Sequence, residues 1–91
     1  MKINNIFSGV LHINDTVHSD ERGFFSEIYN ENELVNLGIK NKFIQDNMSY
    51  SKKSGTLRGL HFQINPYSQS KLLRVIGGKI LDCFVDLRIG S

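Results

Sequence analysis

Apolar and polar residues alternate with a period of two along several stretches of the second half of the chain. Such alternation places successive side chains on opposite faces, as in β-strands. It predicts strands over residues 42–51, 56–63, 71–76 and 79–88. The pair Gly77-Gly78 can supply the positive φ of a two-residue turn, so the last two strands are predicted to form a hairpin.

The last of these strands has one apolar face, formed by Leu81, Cys83, Val85 and Leu87. Cys83 is therefore predicted to have a buried, apolar role and not to act as a nucleophile. Asp82 lies on the opposite face.

A short helix is predicted from Asn30 to Gly38. Asn30 can cap it, Glu33 occupies the capping-box position, and Leu34 and Leu37 share a face. Gly38 supplies the residue that ends the helix.

Several short strands with glycine turns and one helix predict a mainly β fold, an antiparallel sandwich or barrel, in a single domain of residues 1–91. Some strand faces carry polar residues where a purely structural core would hold aliphatic ones, notably Gln45, Asn47, Ser49 and Asp82. A barrel with a ligand in its lumen accounts for this pattern, and a solvated outer face accounts for it too.

Composition narrows the class of protein. With 91 residues, 40% hydrophobic and 22% charged, the chain is typical of one small soluble domain. Its net charge of +2 and its scattered basic residues do not indicate a nucleic-acid partner. One cysteine excludes an internal disulfide framework, and neither a signal peptide nor a membrane-spanning apolar run is present. These features predict a cytoplasmic protein without a membrane partner.

The densest polar cluster comprises the run Gln45-Asp46-Asn47, Arg58, His61, Lys71 and Arg74. Arginine binds phosphate through a planar fork, and lysine approaches an oxyanion as a point charge. Histidine is the side chain whose ordinary pKa, about 6.5, best suits proton transfer near neutrality. Together these residue types could bind a phosphorylated substrate and remove a proton from it.

Other interpretations of these residues stay open. A single histidine in a strand is more commonly structural or exposed than catalytic, and Arg58 and Lys71 are by default solvated surface charges. Strict alternation places Arg58 and His61 on opposite faces, unless a bulge at Gly59 re-aims one of them. His12 and His18, in a polar N-terminal stretch, are predicted to be surface residues. Gln63 follows His61 where a second ligand would stand, so no metal site is predicted.

Five segments of the chain resemble the dTDP-4-dehydrorhamnose 3,5-epimerase family, and they occur in the family's order and spacing. They are Asp20-Glu21-Arg22-Gly23-Phe24-Phe25-Ser26-Glu27, Gln45-Asp46-Asn47-Met48-Ser49, Leu57-Arg58-Gly59-Leu60-His61-Phe62-Gln63, Gln69-Ser70-Lys71-Leu72-Leu73-Arg74-Val75 and Asp82-Cys83-Phe84-Val85-Asp86-Leu87-Arg88.

The resemblance implies a cupin-type jelly roll (a double-stranded β-helix) without a metal or other cofactor, here as an incomplete barrel, and a homodimer. It implies an isomerase that epimerises C3 and C5 of dTDP-4-dehydro-6-deoxy-D-glucose on the route to dTDP-L-rhamnose. His61 would be the base, and Lys71 would steady the oxygen at C4. The implied substrate-binding residues are Arg22, Glu27, Gln45, Asp46, Asn47 and Arg58, with Asp82 as a further pocket residue.

The resemblance also implies chains about twice as long, with an acid tyrosine and a carboxylate partner for the histidine beyond residue 91. Tyr29, Tyr50 and Tyr67 do not match the motif of that acid. We therefore expect weak or no two-centre epimerisation from these residues, and association between copies through unpaired strand edges. Two alternatives stay open: an epimerase that acts at one carbon only, and a non-catalytic sugar-nucleotide-binding or oligomerisation remnant.

Overall fold

The structure is a computed structural model that describes residues 1–7 and 9–90, and it divides into two units, Met1–Asn41 and Lys42–Ser91. All assigned strands and helices of the described residues lie in the first unit. They are β1 (Lys2–Phe7), β2 (Val10–Asn14), β3 (Val17–Asp20), β4 (Gly23–Ser26) and α1 (Glu31–Asn36). The mainly β prediction is therefore confirmed at the level of two small sheets and one short helix, and the described residues contain no closed barrel.

Strands β1 and β2 form an antiparallel hairpin. Their register pairs Lys2 with Asn14 and Ile3 with Ile13, and it shifts between Asn5 and Phe7. A shift of this kind adds one residue to one strand and increases the local twist.

Strands β3 and β4 form a second antiparallel hairpin, with a two-residue connection between Asp20 and Gly23. The carboxylate of Asp20 accepts a hydrogen bond from the backbone N–H of Arg22 at 2.9 Å, which closes the turn in the manner of an Asx-turn. At the open end of the hairpin, the hydroxyl of Ser26 donates to the carbonyl of Thr16 at 2.9 Å.

The helix α1 confirms the prediction over residues 30–38. The side chain of Asn30 accepts a hydrogen bond from the N–H of Glu33 at 3.1 Å, so it caps the helix. At the other end Gly38 has φ 91°, and the N–H of Ile39 donates to the carbonyl of Leu34 at 2.8 Å. The N–H of Gly38 also donates to the carbonyl of Val35 at 3.0 Å, which completes a Schellman motif.

Leu34 is the one buried hydrophobic side chain of the described residues, with 3% of its surface exposed. Burying a leucine contributes about 1.5–3 kcal/mol. This gain is small against the cost of ordering a chain of this size. Local hydrogen bonds and caps therefore carry much of the order of the first unit.

The strands predicted over residues 42–51, 56–63, 71–76 and 79–88 are wrong for this structure, because none of these ranges is assigned as a strand. The chain bends at Gly77-Gly78, and Gly78 has φ 79°, but the two arms of the predicted hairpin are not paired. Alternation fixes which face a side chain occupies. It does not supply the neighbouring backbone that a strand needs for its hydrogen bonds.

The predicted apolar face of residues 81–87 is also wrong as a buried face. Leu81 is 89% exposed, Val85 and Leu87 are each 66% exposed, and Cys83 is exposed rather than buried. Because no neighbouring strand pairs with residues 79–88, these side chains have no packed layer against which to lie.

Among the described residues, no helix is long and apolar enough to cross a bilayer.

We expect Asn30→Ala to destabilise α1 by about 1 kcal/mol, because the substitution removes the N-cap. Cα chemical shifts of residues 31–36, measured by NMR, would report the loss of helix. Asn32→Ala is the matched control, since Asn32 lies inside the helix and makes no capping hydrogen bond. Equal helix content in Asn30→Ala and the unmodified chain would contradict the assigned cap.

Candidate active site

The nine site residues predicted from sequence are all exposed. Two lie in the first unit, Arg22 in the β3–β4 turn and Glu27 after β4. The other seven lie in the second unit: Gln45, Asp46, Asn47, Arg58, His61, Lys71 and Asp82.

Arg22 is held by the carboxylate of its own turn. Its Nη2 lies 2.7 Å and its Nε 3.2 Å from Oδ2 of Asp20. The hydrogen bond from the Arg22 side chain, followed by that from its backbone N–H, lowers the pKa of Asp20, and a backbone hydrogen bond from Gly23 adds to this effect. An incoming phosphate would therefore compete with Asp20 for this guanidinium.

Glu27 is positioned by the helix cap. Its Oε1 accepts a hydrogen bond from the amide of Asn30 at 2.8 Å. Glu27 also lines a cavity of about 260 Å³ within the first unit, whose other lining residues are Met1, Thr16, His18, Phe25 and Glu33.

His18 was predicted only as a surface residue, and it is exposed, but it lines the same cavity as Glu27. The register pairs His18 with Phe25, so their side chains share one face of the hairpin. The two-residue turn after Asp20 is the sequence signal that could have revealed this pairing.

In the second unit, Gln45 and Asn47 lie side by side. Nε2 of Gln45 donates to Oδ1 of Asn47 at 3.4 Å. Residues two apart share a face in extended backbone, so this contact agrees with the alternation seen in the sequence. Asp46, between them, makes no hydrogen bond or ion pair with another described residue.

Arg58 is held by two neutral acceptors. Its Nε donates to the hydroxyl of Ser51 at 3.2 Å, and its Nη2 donates to the carbonyl of Tyr50 at 3.1 Å. Neither acceptor neutralises the guanidinium, which makes Arg58 better suited than Arg22 to attract an anion.

Gly59 shapes the backbone between Arg58 and His61. Its φ of 96° lies in the left-handed region, so the chain does not run as a regular strand through this position. A Cβ placed at Gly59 would lie 3.2 Å from Nδ1 of His61 and 3.3 Å from its backbone nitrogen. The opposite-face argument from strict alternation therefore does not apply to Arg58 and His61.

His61, Lys71 and Asp82 form no hydrogen bond or ion pair with each other in the described part of the chain. Within residues 1–7 and 9–90, no three His, Cys, Asp or Glu side chains cluster closely enough to hold a metal ion. The catalytic roles of His61 and Lys71 thus stay predictions.

The family model described as dTDP-4-dehydrorhamnose 3,5-epimerase matches residues 4–91, a range that includes all nine site residues. The chain belongs to the dTDP-4-dehydrorhamnose 3,5-epimerase family. The comparison with solved structures gives no match.

Several similar proteins carry the name dTDP-4-dehydrorhamnose 3,5-epimerase, and three of them illustrate the likeness. The Shigella flexneri protein is 47% identical over 83 residues, covering 90% of this chain and 45% of the relative. The Methanothermobacter thermautotrophicus protein is 46% identical over 89 residues, or 98% and 47% of the two chains. The Salmonella typhimurium protein is 49% identical over 80 residues, or 87% and 43%. The chain thus spans a little under half the length of these relatives.

We expect Arg22→Gln to raise the pKa of Asp20 toward the ordinary aspartate value, which NMR titration of the carboxyl carbon would detect. Because the pKa of Asp20 is lowered in the folded chain, the Arg22–Asp20 contact stabilises the turn fully at pH values above the ordinary aspartate pKa. This stabilisation is lost as the pH falls through the folded-state pKa. Arg88→Gln is the control, because Arg88 pairs with Asp86 instead. An unchanged Asp20 titration in Arg22→Gln would rule out this cause.

We expect Gly59→Ala to displace the His61 imidazole, because the added methyl group would crowd Nδ1. Gly55→Ala is a matched control: Gly55 has φ 79°, but a Cβ there meets nothing within 4 Å. Both substitutions strain the backbone by about 1–2 kcal/mol. Only Gly59→Ala should shift the His61 ring resonances in an NMR spectrum, and equal shifts in both variants would count against the contact.

Proposed function

We propose that this chain carries the base and the diphosphate-binding arginine of a sugar-nucleotide epimerase. The proposed reaction converts dTDP-4-dehydro-6-deoxy-D-glucose to dTDP-4-dehydro-L-rhamnose by epimerisation at C3 and C5. The observation that carries the proposal is the family match over residues 4–91, together with identities of 46–49% to three enzymes of that name.

The chemistry follows from the C4 ketone of the substrate. Removing a hydrogen from C3 or C5 breaks a C–H bond, and its electron pair moves into an enolate whose charge rests on the C4 oxygen. A base takes the proton on one face, and an acid returns a proton to the carbon on the opposite face, which inverts the centre. The reaction is redox-neutral, so it needs neither an oxidant nor a reductant.

His61 is proposed as the base and Lys71 as the cation beside the enolate oxygen. The side chains of both residues are exposed, so a substrate can reach them. A fixed cation near the C4 oxygen stabilises the enolate more than the ketone, and this difference lowers the barrier.

Arg58 is proposed to bind the diphosphate, since its charge is not neutralised by a carboxylate. The other proposed contacts with the nucleotide sugar are polar groups that can donate or accept hydrogen bonds. They are Arg22, Glu27, Gln45, Asp46, Asn47 and, more distantly, Asp82.

A jelly-roll barrel and a homodimer are proposed as the setting of this site. Exposed apolar side chains are numerous in the second unit, with Leu57 at 90%, Phe62 at 72% and Leu81 at 89%. Extensive exposed apolar surface favours association or further packing. A cytoplasmic location is proposed on the basis of the nucleotide-sugar substrate.

A non-catalytic sugar-nucleotide-binding function is the second candidate. It is favoured by one observation: the His61 imidazole has no hydrogen-bond partner among the described residues. A base that lacks an orienting partner is a poor catalyst, whereas Arg58 could bind a diphosphate without it.

Exchange of substrate hydrogens in heavy water, followed by NMR, tests the proposal. We expect the chain to bind dTDP and to exchange hydrogens at C3 and C5 more slowly than the longer Salmonella typhimurium relative, since His61 lacks an orienting partner. His61→Ala should abolish exchange and change the dTDP dissociation constant by less than about twofold. His12→Ala is the control, because His12 lies on β2 outside the proposed site.

The outcomes separate the candidates. Exchange at both carbons supports the two-centre reaction, and exchange at a single carbon replaces it by a 3- or 5-epimerase. Binding of dTDP without exchange indicates the non-catalytic function. Exchange that persists in His61→Ala would remove His61 from its role, and the absence of both binding and exchange would contradict the proposal.

A further inference from the structure

Arg22, Arg58 and Arg88 are held in two kinds of environment. Arg22 and Arg88 each face a carboxylate two residues earlier, at 2.7 Å from Asp20 and 2.6 Å from Asp86. Arg58 instead reaches back over seven and eight residues to a hydroxyl and a backbone carbonyl. Its partners are therefore neutral, and they come from a separate stretch of the chain.

The contacts of Arg58 use one edge of its guanidinium. A guanidinium has five N–H donors in a fixed plane. Nε donates to Ser51 and one Nη2 hydrogen donates to Tyr50. Both hydrogens of Nη1 and the second hydrogen of Nη2 have no acceptor among the described residues. Two of the donors that remain, one on Nη1 and one on Nη2, form the end fork that can bind two phosphate oxygens.

We infer that Ser51 is a positioning residue for Arg58: its hydroxyl, with the carbonyl of Tyr50, fixes the side edge of the guanidinium so that the end fork is presented to the substrate diphosphate. This inference rests on the proposed function, because it takes the diphosphate as the ligand of Arg58. Ser51 acts through Arg58 and does not need to touch the substrate.

The physical reason is preorganisation. A free arginine side chain loses rotamer freedom when it binds an anion, and a side chain already held in place loses less. Neutral acceptors hold the group without lowering its attraction for phosphate, whereas a carboxylate would compete with the ligand. The Ser51 hydroxyl thus restrains the Arg58 side chain without neutralising its positive charge.

Binding of dTDP and of thymidine, measured by calorimetry, tests this role in the chain as it stands. Ser51→Ala should weaken dTDP binding by about three- to tenfold, the cost of immobilising one long side chain on binding. It should leave thymidine binding unchanged, since thymidine has no phosphate. Ser51→Thr keeps the hydroxyl and should restore affinity. Ser54→Ala is the matched control, because Ser54 makes no hydrogen bond to Arg58.

The double variant Ser51→Ala with Arg58→Ala separates positioning from direct contact. If Ser51 acts through Arg58, adding Ser51→Ala to Arg58→Ala should weaken dTDP binding no further. A further loss would mean that Ser51 contacts the ligand itself, and equal losses for dTDP and thymidine would mean a general structural role. Either result overturns the inference.

Failure of the inference can be told apart from failure of the proposed function. If Arg58→Ala weakens dTDP binding and Ser51→Ala does not, the inference fails and the proposed function stands. If no dTDP binding is detected, the proposed function fails. The Nε–Hε resonance of Arg58 then tests separately whether Ser51 positions the Arg58 side chain. That resonance should shift and exchange faster with water in Ser51→Ala, while the Arg22 resonance stays fixed. An unchanged Arg58 resonance would overturn the inference.

Discussion

A β-strand exists only when a neighbouring backbone accepts and donates its hydrogen bonds, and this requirement distinguishes the two units of the chain. Up to residue 41 each pairing is local: two hairpins close through short turns, and the helix α1 is capped by Asn30 and ended by Gly38. Over residues 42–90 apolar and polar residues alternate along several stretches of the sequence, but the structure assigns no strand there. In this chain the paired strands are therefore those whose pairing partners lie close in the sequence.

The candidate chemistry lies mainly where pairing is lacking. His61, Lys71 and the two amides Gln45 and Asn47 are in the second unit, where their side chains are exposed. Their arrangement depends on local contacts, such as the Gln45–Asn47 hydrogen bond and the restraint of Arg58 by Ser51. Acid–base chemistry demands more than this, because a base must stand within hydrogen-bond reach of the proton it removes. Binding of an anion demands less, since one held guanidinium already attracts it.

What the sequence predicts well is what short-range signals determine. The N-cap at Asn30 and the helix end at Gly38 are predicted from residues a few positions away in the sequence, and both are confirmed. The strands of residues 42–88 were inferred from period alone, which carries no information about a partner, and the buried role of Cys83 failed with them. The family is confirmed by the match over residues 4–91, while the place of His18 in the lining of the Glu27 cavity was missed because it depends on the hairpin register.

The central claim is that the polar residues of the second unit bind one nucleotide ligand together. Titration of the isotope-labelled chain with dTDP, followed through backbone amide resonances, tests it most directly. We expect the resonances of residues 45–47, 58, 61 and 71 to shift together and to fit a single dissociation constant. Shifts that leave these residues untouched, or that follow separate dissociation constants at 45–47 and at 58–61, would contradict it.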